Sequence, residues 1–356
     1  MRILLLGDYS GYGVNLKDGL NELGHDVMIA SGDAGWKNFP FDLNIKPKSS
    51  NVLRYVNDRF FPFRLLSKIT GFDIVQFIDP YPFYINYFPR KYFYEKLFRG
   101  NRKTFLVSAA MDAMYWKNVE QHFAYTPYND MKKYDWTPYL DFKQSEKAFN
   151  FNKFVADQVD GIIPVMYDYE IAYMEMYKNK TKTIPLAINL DKVKYEPLKP
   201  AKKLTFFHSL NSYGFKGTKY IEEAFSDLKK KYPNDIEFVL NKRMPFQEYM
   251  TLLQKTHVVV DQVNSYSYGM NALYALGSGK IVMSGAEPEA LEALGIESSP
   301  VINIRPDKKQ IKQEVLKLLD NRNNLEDLSI RGRTYVEKYH GHVVIAQKYL
   351  DFWCKF

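Results

Sequence analysis

Short continuous apolar runs alternate along the chain with longer segments in which apolar residues recur at helical spacing. A parallel strand that is covered on both faces reads as an unbroken β-branched and aliphatic run, so each short run predicts a buried strand. The predicted strands are residues 2–6, 25–30, 72–78, 104–107, 161–165, 183–184, 203–208, 236–240, 258–260 and 281–283. The predicted helices are residues 14–23, 218–232, 272–276, 307–319 and 333–356. This alternation predicts an α/β protein with parallel sheets.

Two of these units begin in the same way, with a strand, a glycine-containing loop and a helix, starting at residues 2 and 203. A chain of 356 residues is too long for one ordinary core and suits two domains of about 150–200 residues each. Residues 195–203 contain two prolines and predict the linker between two doubly wound, Rossmann-like domains. The expected boundaries are residues 1–195, 196–332 and 333–356, the last being a C-terminal helix that packs back toward the first domain.

The loop that follows the predicted strand 258–260 is polar, contains a glycine and leads into a short helix. In a βαβ unit, the loop at the carboxyl end of the strand and the N-terminus of the next helix form an anion-binding site. Residues 265–271 occupy this corner, where backbone N–H groups near Gly269 would meet the anion. A plain tight turn is the alternative.

The net charge of +8 is concentrated in one segment, because residues 46–103 hold twelve Lys and Arg but only four acidic residues. Such a patch either faces an anionic partner or is a solvated face. The single cysteine, Cys354, excludes an internal disulfide and is typical of a reducing compartment. The apolar N-terminal run is too short for a signal peptide, and no stretch approaches the roughly 18 apolar residues of a membrane span. We expect a cytoplasmic protein, soluble or peripheral at the inner face of the membrane.

Five short motifs follow one another in the order found in a known family. They are Leu-x-x-Leu-Gly-His-Asp-Val at residues 20–27, Phe72-Asp-Ile-Val-Gln-Phe-Ile-Asp79, Ile184-Pro-Leu-Ala-Ile-Asn-Leu-Asp191, Lys216-Gly217 and Tyr268-Gly-Met-Asn-Ala-Leu-Tyr-Ala-Leu-Gly-Ser-Gly279. Their order resembles the retaining GT-B fold glycosyltransferases of family 4, over nearly the whole chain and most strongly over residues 200–300. The resemblance implies two Rossmann-like domains that face each other across a cleft, an acceptor site in the first, a nucleotide-sugar donor site in the second, and no obligatory metal ion.

The resemblance also implies roles for particular residues. Lys216 occupies the position of a lysine that contacts the donor diphosphate, although a solvated lysine would read the same way. Ser209 replaces the arginine of the family's Gly-Arg-Leu turn, and Arg243 is a candidate second phosphate clamp in its place. The family's Glu-x7-Glu pair, which binds the donor sugar and ribose, falls on Tyr266 and Tyr274, so both acidic residues are absent. The alternatives for the missing hydroxyl contacts are Asp261, Gln262 and Glu287.

Further candidates lie at strand ends and loops facing the expected cleft. Asp79 and Asp112 follow two strands of the first domain, where each either orients the acceptor hydroxyl or forms a turn. With Lys216 and Arg243 they make up the predicted catalytic set. The predicted donor-binding residues are Gly11, Gly13, His208, Ser209, Lys216, Arg243, Tyr266, Ser267, Tyr268, Gly269, Met270, Asn271, Tyr274 and Glu287. Core packing is the alternative for Tyr274.

Residues 81–103 mix aromatic rings with cations. Rings favour a membrane interface, and Lys and Arg are attracted to anionic lipid. The predicted membrane or acceptor contacts are Arg90, Lys91, Lys96 and Arg99. The alternative is an amphipathic helix whose rings pack on the sheet. No nucleic-acid partner is expected, since no RNP-like strand pattern occurs.

Together these features predict transfer of a sugar from a nucleotide-diphosphate donor, with a UDP-sugar favoured, to a hydroxyl of a glycan or lipid-linked saccharide, in surface polysaccharide synthesis. The six histidines form no metal-ligand pattern, and no phosphate-binding loop of the NTPase type occurs, so no metal cofactor and no NTPase are expected. A nucleotide-sugar epimerase on the same fold and a catalytically degenerate sugar-nucleotide or glycan-binding protein are the alternatives.

Overall fold

The structure, a computed structural model, describes residues 1–32, 39–47, 54–83, 85, 88–242 and 244–356. The strands in this part of the chain are β1 (Arg2–Leu6), β2 (Asp26–Ser31), β3 (Leu43–Asn44), β4 (Ile74–Phe77), β5 (Lys103–Ser108), β6 (Gly161–Pro164), β7 (Leu204–Leu210), β8 (Ile236–Lys242), β9 (Val258–Val260), β10 (Ile281–Ser284) and β11 (Ile302–Asn303). The α-helices are α1 (Tyr12–Glu22), α2 (Arg54–Leu66), α3 (Arg90–Arg99), α4 (Ala113–His122), α5 (Tyr128–Tyr134), α6 (Pro138–Gln144), α7 (Glu146–Gln158), α8 (Tyr167–Tyr177), α9 (Tyr213–Lys216), α10 (Thr218–Lys231), α11 (Phe246–Gln254), α12 (Met270–Gly277), α13 (Pro288–Ala293), α14 (Lys308–Asp320), α15 (Leu325–His340) and α16 (His342–Trp353).

The strands form two parallel sheets. The first has the order β3-β2-β1-β4-β5-β6, and the second has the order β11-β10-β9-β7-β8. In the first sheet, Ile3 of β1 lies between Val27 of β2 and Ile74 of β4, and all three side chains are buried. Helices connect successive parallel strands, which is why the strands read as continuous apolar runs. The predicted α/β fold with two doubly wound sheets is confirmed.

Two predicted elements differ from the structure. Residues 183–184 form no strand of their own, because the chain there makes only an isolated bridge between Thr181 and Ile162 and runs on beside β6. The helix predicted over residues 333–356 is two helices, α15 and α16. Gly341 separates them, since its φ of −54° and ψ of 133° lie outside the helical region.

Helix α16 packs on α1, in the half of the molecule built on the first sheet. A Cβ at Gly19 would lie 2.3 Å from the carbonyl oxygen of His342, so only a glycine allows the two helices to come this close. The Tyr12 hydroxyl donates to the Tyr349 hydroxyl at 2.6 Å across the same contact. The boundaries at residues 195/196 and 332/333 stay a prediction. Residues 194–203 contain no helix or strand.

Helix α3 packs two of its aromatic side chains against the core of the first half. Phe93 and Tyr94 are buried, and the Tyr94 ring lies 5.9 Å from Phe77 of β4 and 5.1 Å from Phe151 of α7. These rings therefore belong to the core, as in the alternative interpretation of residues 81–103. Within the described residues, no helix has the length and apolar character needed to cross a bilayer.

Candidate functional site

The predicted phosphate corner lies at the carboxyl ends of β7 and β9. Lys216 ends the short helix α9, and its Nζ lies 2.8 Å from Oδ1 of Asp261, which follows β9. Both side chains are buried. Gly217 continues the chain with a φ of 66°, and a Cβ there would lie 2.4 Å from Val263, so the turn after Lys216 requires glycine. The lysine is thus a buried cation paired with a carboxylate, and the alternative of a solvated lysine is wrong.

His208 lies in β7 beside this pair, and its ring is buried. Nδ1 donates to the carbonyl oxygen of Val260 at 2.7 Å, and Nε2 lies 2.9 Å from Oγ1 of Thr218. Burial lowers the pKa of His208 to about 4, and the nearby Lys216 ammonium adds to this shift. The imidazole is neutral at pH 7, and both of its nitrogens have protein partners, so the structure gives this ring a packing role between β7 and β9.

Helix α12 begins at Met270 beside the Lys216–Asp261 pair. The first N–H groups of a helix have no partner within it, so this end favours an anion. The Asn271 amide lies 3.4 Å from Oδ1 of Asp261. Apart from Gly269 itself and its two chain neighbours, no described residue has an atom within 4 Å of the position that a Cβ would take at Gly269, so there is open space beside this helix end. Gly269, Met270 and Asn271 thus lie at the start of α12, and their role in donor binding stays a prediction.

Two residues of the loop 265–271, Tyr268 and Ser267, bond to other parts of the second half. The Tyr268 hydroxyl lies 2.5 Å from the Tyr335 hydroxyl and 3.0 Å from Nε2 of His340, both in α15. Its side chain therefore ties the loop before α12 to α15. Ser267 is buried, and its carbonyl oxygen accepts a hydrogen bond from the Gln262 amide at 2.7 Å, which holds the loop closed on itself.

The two tyrosines that the resemblance predicts at acidic positions, Tyr266 and Tyr274, contact the half built on the first sheet. The Tyr266 hydroxyl accepts a hydrogen bond from the Ala124 N–H at 3.1 Å, and its ring stacks on Tyr125 at 4.8 Å. The Tyr274 hydroxyl accepts one from the Asn15 amide at 3.0 Å and is buried. Both hydroxyls therefore join the two halves of the molecule.

Glu287 is buried and bound to an arginine that the sequence did not single out. Nε and Nη2 of Arg305 donate to its two oxygens at 2.7 and 2.6 Å, and the Tyr125 hydroxyl donates to Oε1 at 2.6 Å. Burial acts to raise the pKa of Glu287, but these hydrogen bonds outweigh it and hold the pKa below its ordinary value. A bidentate ion pair of this kind fixes the carboxylate within the second half. The bond from Tyr125 makes Glu287 a contact between the halves.

The glycine loop after β1 also lies against the second half. Gly11 has a φ of 81°, and a Cβ there would lie 2.7 Å from the Phe39 ring and 2.9 Å from the Tyr274 hydroxyl. Asp8 accepts hydrogen bonds from the N–H groups of Gly11 and Gly13 and so shapes the loop. Gly11 is therefore a point of close approach between the halves, as expected for a loop that faces the cleft.

The two predicted acceptor-side carboxylates lie at neighbouring strand ends. Asp79 follows β4 and forms a 2.5 Å ion pair with Lys143 of α6, and both residues are buried. Asp112 follows β5, caps α4 by accepting from the Tyr115 N–H at 3.0 Å, and accepts from the Tyr173 hydroxyl at 2.5 Å. Burial raises the pKa of Asp112 to about 6. Lys143 was missed because one lysine in a polar helical segment carries no sequence signal.

The two remaining candidate residues are Ser209 and Arg243. Ser209, in place of the family's arginine, is buried in β7, and its Oγ lies 3.4 Å from Oδ1 of Asn211. Arg243 lies outside the described residues.

One group among the described residues has metal-ligand chemistry. Ligand atoms of Glu22, Asp191 and His342 lie within 4.8 Å of one another where α16 packs on α1. The two carboxylates are exposed, and Nε2 of His342 already lies 2.7 Å from Oε1 of Glu22. None of the three is a partner of the Lys216–Asp261 pair. The expectation that the reaction needs no metal ion stays a prediction.

No family model and no curated protein matches the sequence. Solved structures do match it. HepE (Alr3699) from Anabaena, solved with UDP and glucose, has a TM-score of 0.64 at 10% identity, over 100% of this chain and 99% of that one. Sucrose-phosphate synthase from Thermosynechococcus elongatus has a TM-score of 0.63 at 13% identity, over 100% and 98%. WaaG, a glycosyltransferase involved in lipopolysaccharide biosynthesis, has a TM-score of 0.57 at 13% identity, over 99% of each chain. The chain therefore has the GT-B fold.

Proposed function

We propose that this protein transfers a sugar from a nucleotide-diphosphate donor, a UDP-sugar by preference, to a hydroxyl of a glycan or lipid-linked saccharide. The observation that carries the proposal is the buried Lys216 beside the free helix end at Gly269, at the carboxyl edge of the second sheet. Ligands bind at this edge in open α/β sheets. HepE, which has the same fold over its full length, has been solved with UDP-glucose.

Lys216 and the first N–H groups of α12 would hold the donor diphosphate. Negative charge builds on the diphosphate as the sugar leaves, and a buried cation with fixed dipoles stabilises that charge. Asp261 does not prevent this, because an ammonium has three donors and can bind a carboxylate and a phosphate together. Asp261 would thus keep Lys216 aimed at the corner before the donor arrives.

We further propose retention of the anomeric configuration and a hexosyl donor. If the leaving phosphate takes the proton of the acceptor hydroxyl, the reaction needs no protein base. This fits the donor corner, where the carboxylates Asp261 and Glu287 are both held by cations. On the acceptor side, Asp112 is proposed to orient the acceptor hydroxyl, with the Asp79–Lys143 pair fixing the floor of that site.

The direct test is thermal unfolding of the purified protein with UDP, GDP, ADP, CMP and their common sugar conjugates. A ligand at 100 times its dissociation constant stabilises the folded state by about 2.7 kcal/mol, which raises the unfolding temperature measurably. We expect only UDP and its sugar conjugates to raise the unfolding temperature. The sugar of the conjugate with the largest effect should then be transferred to a glycan acceptor. Equal or absent shifts with every nucleotide would contradict the donor site.

A catalytically degenerate nucleotide-sugar-binding protein is the second candidate. Tyr266 and Tyr274 stand where the family has acidic residues, and their hydroxyls bond the other half of the molecule. Binding of a UDP-sugar with neither transfer nor hydrolysis, over a panel of acceptors, would favour this candidate over the enzyme.

We also propose that the half built on the first sheet contacts an anionic membrane surface. Phe60 and Phe63 of α2 are 54% and 53% exposed, and Tyr92 of α3 is 46% exposed. Lys91, Lys96 and Arg99 of α3 are exposed cations, whereas the Arg90 guanidinium lies 5.0 Å from the Tyr81 ring centroid and packs against the protein. Exposed rings beside cations favour a lipid interface.

Sedimentation with vesicles tests the membrane contact. Wild-type protein should bind vesicles that contain phosphatidylglycerol and not neutral vesicles, and the combined change of Lys91, Lys96 and Arg99 to Glu should abolish binding. Charge reversal at Lys229, Lys230 and Lys231 of α10 is the matched control, since α10 lies in the other half. Equal loss in both variants would show nonspecific charge attraction and contradict the proposed surface.

A further inference from the structure

Residues 123–135, which we call the arm, connect α4 to α6 in the first half of the molecule but contact the second half. The Ala124 N–H and the Tyr125 hydroxyl donate to Tyr266 and Glu287. Farther along, Oδ2 of Asp130 accepts a hydrogen bond from the Asn264 amide at 3.0 Å. The arm therefore bridges the two halves next to the candidate donor corner.

Asp135, at the end of the arm, accepts more hydrogen bonds from the second half than the arm residues named above make. Its Oδ1 accepts from the Tyr213 N–H at 3.0 Å. Its Oδ2 accepts from the Ser212 hydroxyl and the Gly214 N–H, each at 2.7 Å, and from the Phe215 N–H at 3.0 Å. Four donors thus converge on one carboxylate, and hydrogen bonds to a charged group are the strong ones.

These donors all belong to the turn that carries Lys216. The Lys216 N–H bonds back to the Ser212 carbonyl oxygen at 3.3 Å, so the position of Ser212 sets that of the lysine. A Cβ at Gly214 would lie 2.4 Å from the carbonyl group of Asp130, so the arm backbone lies directly on this turn. The Asn264 amide that binds Asp130 also donates to the Gly214 carbonyl oxygen at 2.7 Å. The turn is therefore held from the opposite half as well as from its own.

We propose that Asp135 is a positioning residue for Lys216: from the first half it fixes the backbone of the α9 turn, while Asp261 holds the ammonium from the second half, and both are needed to aim the lysine at the donor corner. The consequence for donor binding rests on the proposed function, whereas the effect on the lysine does not. In this arrangement, contact between the halves completes the support of the phosphate clamp.

Lysine footprinting with acetic anhydride and mass spectrometry reads the position of Lys216 directly. Lys216 and Lys143 are both buried and both paired with a carboxylate, but Lys143 lies in the first half and has no contact with Asp135 among the interactions above. In Asp135→Ala we expect acetylation of Lys216 to rise at least about tenfold, the scale that loss of a hydrogen-bonded charge produces, while Lys143 stays protected. A parallel rise at both lysines would mean general unfolding, and no rise at Lys216 would overturn the proposal.

The dissociation constant of UDP supplies the second measurement. It should rise by a similar factor in Asp135→Ala and by less in Asp135→Asn, because an amide keeps only one of the two accepting oxygens. Asp141→Asn is the control, since Asp141 is exposed in the same half and accepts only from Trp136 Nε1 among the bonds described. Unchanged UDP affinity with a mobile Lys216 would overturn the coupling to donor binding. If the wild-type protein bound no UDP, the proposed function would fail, and the footprint alone would decide the positioning claim.

Discussion

Replacement of Lys216 by Met should separate the stability of the donor corner from its function. Met keeps the length of the side chain but removes the ammonium, so Asp261, which is 2% exposed, is left buried without its cation. Removal of one partner from a buried ion pair costs about 3–5 kcal/mol, because the remaining charge has lost its solvent and its partner. We therefore expect Lys216→Met to lower the free energy of unfolding by about 3–5 kcal/mol.

The double variant Lys216→Met/Asp261→Asn is the control for this loss. An uncharged amide at position 261 needs no cation, and it keeps an oxygen that can accept from the Asn271 amide. Urea unfolding should show that the double variant recovers most of the lost stability, while calorimetric titration shows that neither variant binds UDP. A loss below about 1 kcal/mol in the single variant, the range of exposed ion pairs, would refute the claim that the pair is buried. Full UDP affinity in the stable double variant would refute the clamp.

Three further predictions concern two contacts between the halves of the molecule and the buried carboxyl group of Asp112. Gly11→Ala should lose about 1–3 kcal/mol more stability in urea unfolding than Gly24→Ala, because the two glycines have nearly the same φ, 81° and 82°, but only at position 11 does the new Cβ meet Phe39 and Tyr274. Equal losses would contradict the close approach. Tyr125→Phe should lower stability by about 0.5–1.5 kcal/mol through its bond to Glu287, and an unchanged value in Tyr125→Phe would contradict that contact. Burial raises the pKa of Asp112 from 3.8 to about 6 and so favours the protonated folded state, which means that this group should contribute a loss of stability as the pH rises from about 4 to about 6. Asp112→Asn should remove that contribution in unfolding measured across this range, and an unchanged difference between the two ends of the range would contradict the shift.

The sequence predicted the fold well because most buried parallel strands are continuous apolar runs, although the short run at residues 183–184 forms no strand. Val258 to Val260 and Ile281 to Met283 are continuous apolar runs, and each is a strand of the second sheet. Helix boundaries were less accurate. The C-terminal segment has helical periodicity on both sides of Gly341, and only the backbone angles of that residue show that two helices meet there.

The site was predictable only where local sequence sets the position of a group. Lys216 and Gly269 lie at a turn and a helix start, and the structure places them at one corner. The partners Asp261, Arg305 and Lys143 depend on pairings across 45, 18 and 64 residues, which no local pattern reveals. The arm was missed for the same reason: nothing in residues 123–135 indicates that they cross to the other half.

Titration of UDP into the wild-type protein and into Lys216→Met/Asp261→Asn, followed by calorimetry, shows whether Lys216 holds the donor diphosphate. We expect saturable binding at one site in the wild-type protein and no binding in the variant, with both proteins folded by circular dichroism, as this role of Lys216 requires. Absence of UDP binding by the wild-type protein, or equal binding by both, would contradict it.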